Sequence, residues 1–267
     1  MGLFSWLFKK QKHRPIKLGL ALGSGGAKGF AHLGALKAFE ENGITFDMVA
    51  GTSIGSIVGA FYCSGYSTTD ILELLKRIDV KEVKNFFMIK MSTSKIFDVI
   101  DKHIGELNIE QLKKPFKAVA TNLETGKEHI FDRGSVALAL CASSSIPPFF
   151  KPVTIDGVKY IDSAFTNSIP ADVVRGMGAD YVVGIDLATT QTKPSIIKKV
   201  FPSYKSEIEK PWEKGYEFSD TMIHPDLNGY TSVQFWNGDK MYEIGYQQAI
   251  SQMDKIKSDL KKLKYKL

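Results

Sequence analysis

The chain has 267 residues, 43% of them apolar and 24% charged, which is enough for one large α/β domain with a real core and shows no linker that demands a second. No apolar run approaches the roughly 20 residues that span a bilayer, so a transmembrane helix is excluded. The formal charge of +6 sits on the ends. Residues 1–14 carry Lys9, Lys10, Lys12 and Arg14 with no acid, and residues 255–267 carry six lysines against one aspartate. The remainder is therefore mildly acidic, at −3, which argues against the broad basic face of a nucleic-acid-binding domain.

In chain order, the first stretch sets Leu3, Phe4, Trp6, Leu7 and Phe8 ahead of a basic cluster. It is no secretory signal, because the charges follow a short apolar part and no cleavage site appears. The myristoylation pattern fails at Trp6. Residues 1–15 read either as a basic amphipathic segment lying on an anionic membrane surface or as a terminus that packs on its own domain or frays.

Residues 16–22 read as a first strand, alternating at its start and apolar at its end. It runs into Gly23-Ser-Gly-Gly-Ala-Lys-Gly29 and a helix over 30–42, closed by Gly43. A P-loop is excluded because no Gly-Lys-Ser/Thr follows. A dinucleotide fingerprint fits poorly, with Lys28 at its third glycine and Gly29 one place late. What remains is a nest of bare N–H groups suited to an anion. A second buried strand, Met48-Val49-Ala50, breaks into Gly51-Thr-Ser-Ile-Gly55 and an apolar helix. Strand, G-x-S-x-G and helix form the context of a nucleophile elbow, with Ser53 exposed above the strand end. In a parallel sheet the Gly-rich loop, one βα unit earlier, can lie beside it and serve as an oxyanion hole.

A helix follows over 69–78, capped by Ser67 or Thr68. Residues 79–95 read as irregular, 96–104 as a helix closed by Gly105, and 109–112 as a helical turn. Two strands, 116–123 and 127–131, pair across Thr125-Gly126. Ser135 caps a helix to about 144, which Pro147-Pro148 ends. A hairpin turning at Asp156-Gly157 delivers Asp162-Ser163-Ala164. A helix over 170–177 and a buried strand over 180–187 come next. Residues 188–230 are polar and aperiodic, long for a connection, and read as a lid or second membrane contact. One closing helix is expected over 240–266, with residues 255–267 as a lysine-rich tail. Cys63 and Cys141 sit in apolar segments without metal-like spacing, so buried thiols in a reducing compartment are expected.

Ser53 needs a base. Among His13, His32, His103, His129 and His224, a hydrolase triad could be met by Ser53, Asp162 or Asp186, and His224. Chain order speaks against that fold, which sets several strands before its elbow. His32 reads as a helix residue near the loop and His129 as a strand residue.

The string Leu18-Gly-Leu-Ala-Leu-Gly-Ser-Gly-Gly-Ala-Lys-Gly-Phe-Ala-His-Leu-Gly34, then Gly51-Thr-Ser-Ile-Gly55, then Tyr160-Ile-Asp-Ser-Ala164 resembles the patatin-like phospholipases, in particular their compact bacterial members. The resemblance spans about 18 to 190, with a looser echo in Ile223-His-Pro-Asp-Leu and Gly245-Tyr-Gln-Gln-Ala. It implies a three-layer α/β/α fold with a mainly parallel central sheet, placed here over residues 16–254. It further implies a Ser–Asp dyad without histidine: Ser53 as nucleophile, Asp162 as its partner, and an oxyanion hole around Gly25 and Gly26, with Ile54 N–H contributing. Gly23, Lys28, Gly29, Gly51 and Gly55 match the supporting motif positions. The sequence departs from the family at Ser24, where many members carry glycine, and at Ser163, in a motif usually Asp-Gly-Gly or Asp-Gly-Ala. If that position needs positive φ, Ser163 is strained or aims the aspartate differently. The implied activity is serine hydrolysis of fatty-acyl esters of (lyso)phospholipids, without metal or other cofactor. It would belong to a cytoplasmic protein, peripheral on the inner face of the membrane. The alternative is a catalytically weak lipid-binding or regulatory membrane protein using the same pocket.

Overall fold

The computed structural model describes residues 14–77, 100–187, 201–202, 204 and 208–265. Among them, eight strands form one sheet: β1 (Leu18–Leu22), β2 (Met48–Thr52), β3 (Phe116–Asn122), β4 (Glu128–Phe131), β5 (Val153–Ile155), β6 (Val158–Asp162), β7 (Tyr181–Ile185) and β8 (Thr221–Ile223). Their order is β5-β6-β3-β2-β1-β7-β8, with β4 pairing β3 off this path. The centre is parallel, from β3 through β2, β1 and β7 to β8. β4, β5 and β6 add an antiparallel edge.

Period-two alternation sends Leu18, Leu20 and Leu22 of β1 into one core, while Ala21 joins Met48 and Ala50 in another on the opposite face. The larger core is closed by α1 (Phe30–Glu41), α2 (Ile54–Ser64), α3 (Thr68–Lys76), α4 (Val136–Ser143), α7 (Gly238–Ser251) and α8 (Met253–Lys262). The smaller is closed by α5 (Ala171–Gly176) and by Trp212 and Phe218 flanking and ending α6 (Glu213–Phe218). Helices on both faces of a mainly parallel sheet make the α/β/α layering that the sequence implies.

Local chemistry explains the boundaries. The Ser67 hydroxyl accepts the Asp70 N–H and the Asp70 carboxylate accepts the Ser67 N–H, a capping box that starts α3. Ser135 Oγ accepts the Leu138 N–H at the start of α4. The β5–β6 turn places Asp156 and Gly157 both at positive φ, as a two-residue hairpin requires. α1 and α7 meet backbone to backbone: a Cβ on Gly34 would lie 1.9 Å from Tyr242 O, and one on Gly245 would lie 2.1 Å from Ala31 O.

Three expectations change. β1 begins at Leu18, not at 16. The single closing helix is two, broken at Gln252, and residues 255–262 of the lysine-rich end lie in α8 with Ile256 and Leu260 buried in the core. The stretch read as aperiodic contains α6 and the edge strand β8, which pairs with β7 through Val183, Gly184 and Ile185. Residues 1–13, 78–99 and 188–200 lie outside the described residues, and with them most of the amphipathic segment, the irregular stretch and the first part of the lid reading. No described helix is long and apolar enough to cross a membrane.

Candidate active site

β2 ends at Thr52 and α2 begins at Ile54, so Ser53 alone makes the turn, with φ 57° and ψ −126°. A non-glycine residue there is strained and persists only where its surroundings over-determine it. They do: the Ser53 carbonyl accepts from Ser56 N (2.8 Å), Ile57 N (3.2 Å) and Ser56 Oγ (2.6 Å). Its N–H donates to Ser143 Oγ at 2.9 Å. The glycines of the motif allow the close approach. A Cβ on Gly55 would lie 2.2 Å from Leu22 O, and one on Gly51 would lie 2.4 Å from the Gly55 carbonyl. The first turn of α2 is thereby pressed against the loop that follows β1.

In that loop the N–H groups of Gly23, Ser24, Ala27 and Lys28 are spent on Ile185 O, Ser168 O, Ser232 O and Gly25 O. This leaves the Gly25 and Gly26 N–H groups outside any such bond among the described residues, and at the start of α2 those of Ile54 and Gly55 likewise, whereas Ser56 and Ile57 donate to the Ser53 carbonyl. Gly26 stands at φ 58°, where a side chain would also run into Ser232 O. Gly29 touches Ile54, its hypothetical Cβ 2.3 Å from Ile54 Cγ1. Buried His32 Nε2 donates to Gly23 O at 2.8 Å, and burial lowers its pKa to about 4, so it is a neutral brace for the loop. Lys28 is buried; desolvation lowers its pKa and the Asp186 carboxylate pulls it back.

Asp162 closes β6 opposite Ala120 of β3, with β3 next to β2. It is 0% exposed, against 9% for Ser53. Its Oδ1 accepts the Ala164 N–H at 2.8 Å and its N–H donates to Ser145 O at 3.0 Å. Burial drives its pKa up to about 7, against the opposing pull of the Ser53 hydroxyl and the Ala164 N–H. The hydroxyl is thus near enough to favour the carboxylate, while no bond of ordinary geometry reaches Oδ2. Ser163 opens a 3-10 turn and is not among the described non-glycine residues at positive φ, which are Ser53, Asp156 and Lys264. The strain expected there is absent. Its hydroxyl instead starts a chain through Thr166 Oγ1 (2.9 Å) and Thr121 Oγ1 (2.8 Å) to the Asp162 carbonyl (3.1 Å).

The structure thus gathers Gly23, Gly25, Gly26, Lys28, Gly29, Gly51, Ser53, Ile54 and Gly55 at one end of the sheet, with Asp162 two strands from β2. The histidine of the triad reading is elsewhere. His224 follows β8, three strands from β2, is 47% exposed, and lies 3.2 Å from Asp186 Oδ2. His129 lies on β4, as its strand reading expects, and meets the Phe131 ring edge-on and the Tyr160 ring at a tilt. Among the described residues no group of three or more His, Cys, Asp or Glu could hold a metal ion.

Sequence reading missed two supports. Ser143 meets the elbow from 90 residues away, and nothing in its helical context signals it. Thr52 Oγ1 donates to Asn167 O at 2.8 Å, and Asn167 Nδ2 donates to Glu128 (2.9 Å) and Asp172 (2.7 Å). Lys214 bridges the same two carboxylates. An asparagine five residues past Asp162 is too weak a signal alone.

The family model described as patatin-like phospholipase matches residues 20–175. The neuropathy target esterase sws of Drosophila melanogaster is 28% identical over 90% of this chain and 17% of its own length. An uncharacterized NTE family protein of Mycobacterium bovis is 31% identical over 67% of this chain and 51% of its own. The lysophospholipase nte1 of Aspergillus fumigatus is 25% identical over 94% and 19%. The chain therefore spans about half or less of the length of these relatives. Among solved structures, VipD from Legionella pneumophila shares the fold, with a TM-score of 0.56 at 15% identity over 90% of this chain and 67% of that one. With three ordered motifs gathered at one sheet edge and more than half its length matched, the chain belongs to the patatin-like phospholipase family.

Proposed function

We propose that the protein is a serine acyl hydrolase that cleaves fatty-acyl esters of phospholipids or lysophospholipids through Ser53 and Asp162. The observation that carries this reading is the fully buried Asp162 carboxyl, lifted to about 7, with one oxygen unbonded beside the strained elbow serine. A carboxylate near its usual pKa is a weak base, whereas one near 7 is matched to proton transfer at neutral pH. Relatives named esterase and lysophospholipase support an acyl ester as substrate.

Ser53 Oγ attacks the ester carbonyl as its proton passes to Asp162. The carbonyl oxygen becomes an oxyanion held by the N–H groups of Gly25, Gly26 and Ile54, at the positive end of α2. Collapse breaks the ester C–O bond, and the alcohol leaves with the proton from Asp162. Water then attacks the acyl-serine, returning its proton through Asp162, and the fatty acid departs. Residues 1–15 hold the protein at an anionic membrane surface where such lipids reside.

The test is mass spectrometry of mixed phospholipids incubated with wild type, Ser53→Ala, Asp162→Asn and His224→Ala. Free fatty acid should appear with wild type and His224→Ala only. Equal loss in His224→Ala and Ser53→Ala would replace the dyad by a triad.

A further inference from the structure

The end of α4 touches both members of the proposed dyad. Ser143 Oγ accepts the Ser53 N–H at 2.9 Å and donates its own proton to Val119 O of β3 at 2.7 Å. Two residues on, Ser145 O accepts the Asp162 N–H at 3.0 Å, and Ser145 Oγ is tied to Cys141 O at 2.7 Å. Ser143 and Ser145 are both completely buried.

We infer that Ser143 is a positioning residue for the nucleophile and that the turn 143–145 fixes the spacing between Ser53 and Asp162. This rests on the reading of Ser53 as nucleophile. The two sides of the elbow are held differently. The Ser53 carbonyl is bound by three donors from Ser56 and Ile57 of its own helix, so α2 alone secures it. The N–H side, where φ is strained, is secured from 90 residues away by Ser143. Because the Ser143 proton is committed to Val119 O, its oxygen can serve Ser53 only as acceptor, which fixes its direction. Removing that oxygen leaves a buried N–H unpaired and frees rotation about the Ser53 φ, so the hydroxyl drifts from both Asp162 and the Gly25–Gly26 loop. Ground-state binding of a lipid should not notice; the attack should.

The experiment measures inactivation by a long-chain alkyl fluorophosphonate at pH 8, where Ser53 Oγ forms a bond to phosphorus and fluoride leaves. The adduct is located by mass spectrometry, and kinact, KI and Tm are measured for each variant. Ser143→Ala should lower kinact about 10- to 100-fold with KI unchanged, the scale on which small misplacements act. Ser143→Cys, which fills the space with a sulfur that accepts poorly, should do the same and serves if the alanine variant does not fold. Ser135→Ala, which removes the cap at the other end of α4, should lower Tm but keep kinact. The inference is overturned if Ser143→Ala and Ser143→Cys keep wild-type kinact, or if Ser135→Ala loses kinact equally, since the effect would then be one of helix stability. A wild-type adduct on a residue other than Ser53 would overturn the functional reading and this inference with it.

Discussion

Asp162→Asn should make the protein more stable while removing its activity, and the gain should depend on pH. The wild-type carboxyl titrates near 7 when folded against 3.8 when free, so the folded state holds the proton more tightly than the unfolded one. Its contribution to stability is therefore full below pH 4 and is lost as pH rises through 7. At about 1.4 kcal/mol per tenfold difference in proton affinity, ionising Asp162 in place costs about 4 kcal/mol. Asparagine cannot ionise and escapes that cost. Whatever its amide gains or loses in packing is the same at every pH and cancels in the comparison. Urea unfolding of both proteins should therefore show a stability gap that widens by about 2–3 kcal/mol from pH 5 to pH 8. Hydrolysis, having lost its base, should fall about 10²- to 10⁴-fold. A gap that stays constant or narrows with pH would mean that Asp162 is not held as a buried, strained base, and the proton-transfer reading would go with it.

Gly55→Ala pushes a methyl to within 2.2 Å of Leu22 O, so turnover should fall about 10²-fold through displacement of the loop; wild-type turnover in a normally melting variant would show that loop and elbow need not touch. Ser163→Gly removes the head of the hydroxyl chain that ends on the Asp162 carbonyl and adds chain entropy. It should cost about 1–2 kcal/mol of stability without raising turnover, and a clear rise would restore strain at Ser163. Deleting residues 1–13 should weaken binding to anionic vesicles, the electrostatic share of the loss being larger at low salt than at high, and leave hydrolysis of a soluble short-chain ester unchanged. Equal vesicle binding with and without them at low salt would reduce the segment to a tail.

What the sequence revealed was local chemistry with a strong signature. The elbow was legible because glycines at 51 and 55 around a serine between strand and helix leave few other folds. A hydroxyl cap at Ser67 or Thr68 and the Asp156-Gly157 turn were legible because each encodes its own turn; that Asp70 completes a capping box was not. What stayed hidden was made by neighbours. β8 is three residues long, too short for a period, and exists because β7 offers it an edge. α6 is a six-residue helix stabilised by packing, not propensity. The break at Gln252 carries no glycine or proline, and Gln252 keeps helical φ and ψ. The approach of Asp162 to Ser53 depends on β6 pairing antiparallel with β3, and that of Ser143 on α4 returning to β2. Neither contact has any trace in the intervening residues.

The family match ends at residue 175, yet the candidate site does not. β7, at 181–185, is the neighbour that keeps β1 inside the sheet, and its Ile185 carbonyl receives the N–H of Gly23 where the Gly-rich loop begins. Ser232 O takes the Ala27 N–H within the same loop, and α7 lies against α1 closely enough that neither Gly34 nor Gly245 can carry a side chain. A fragment cut at the boundary of the recognisable motif would leave β1 as a bare edge and the loop without its outer wall. The unit able to fold, to be inherited or to be transplanted is therefore larger than the stretch the family model covers, and the C-terminal third beyond that stretch supplies walls to the Gly-rich loop.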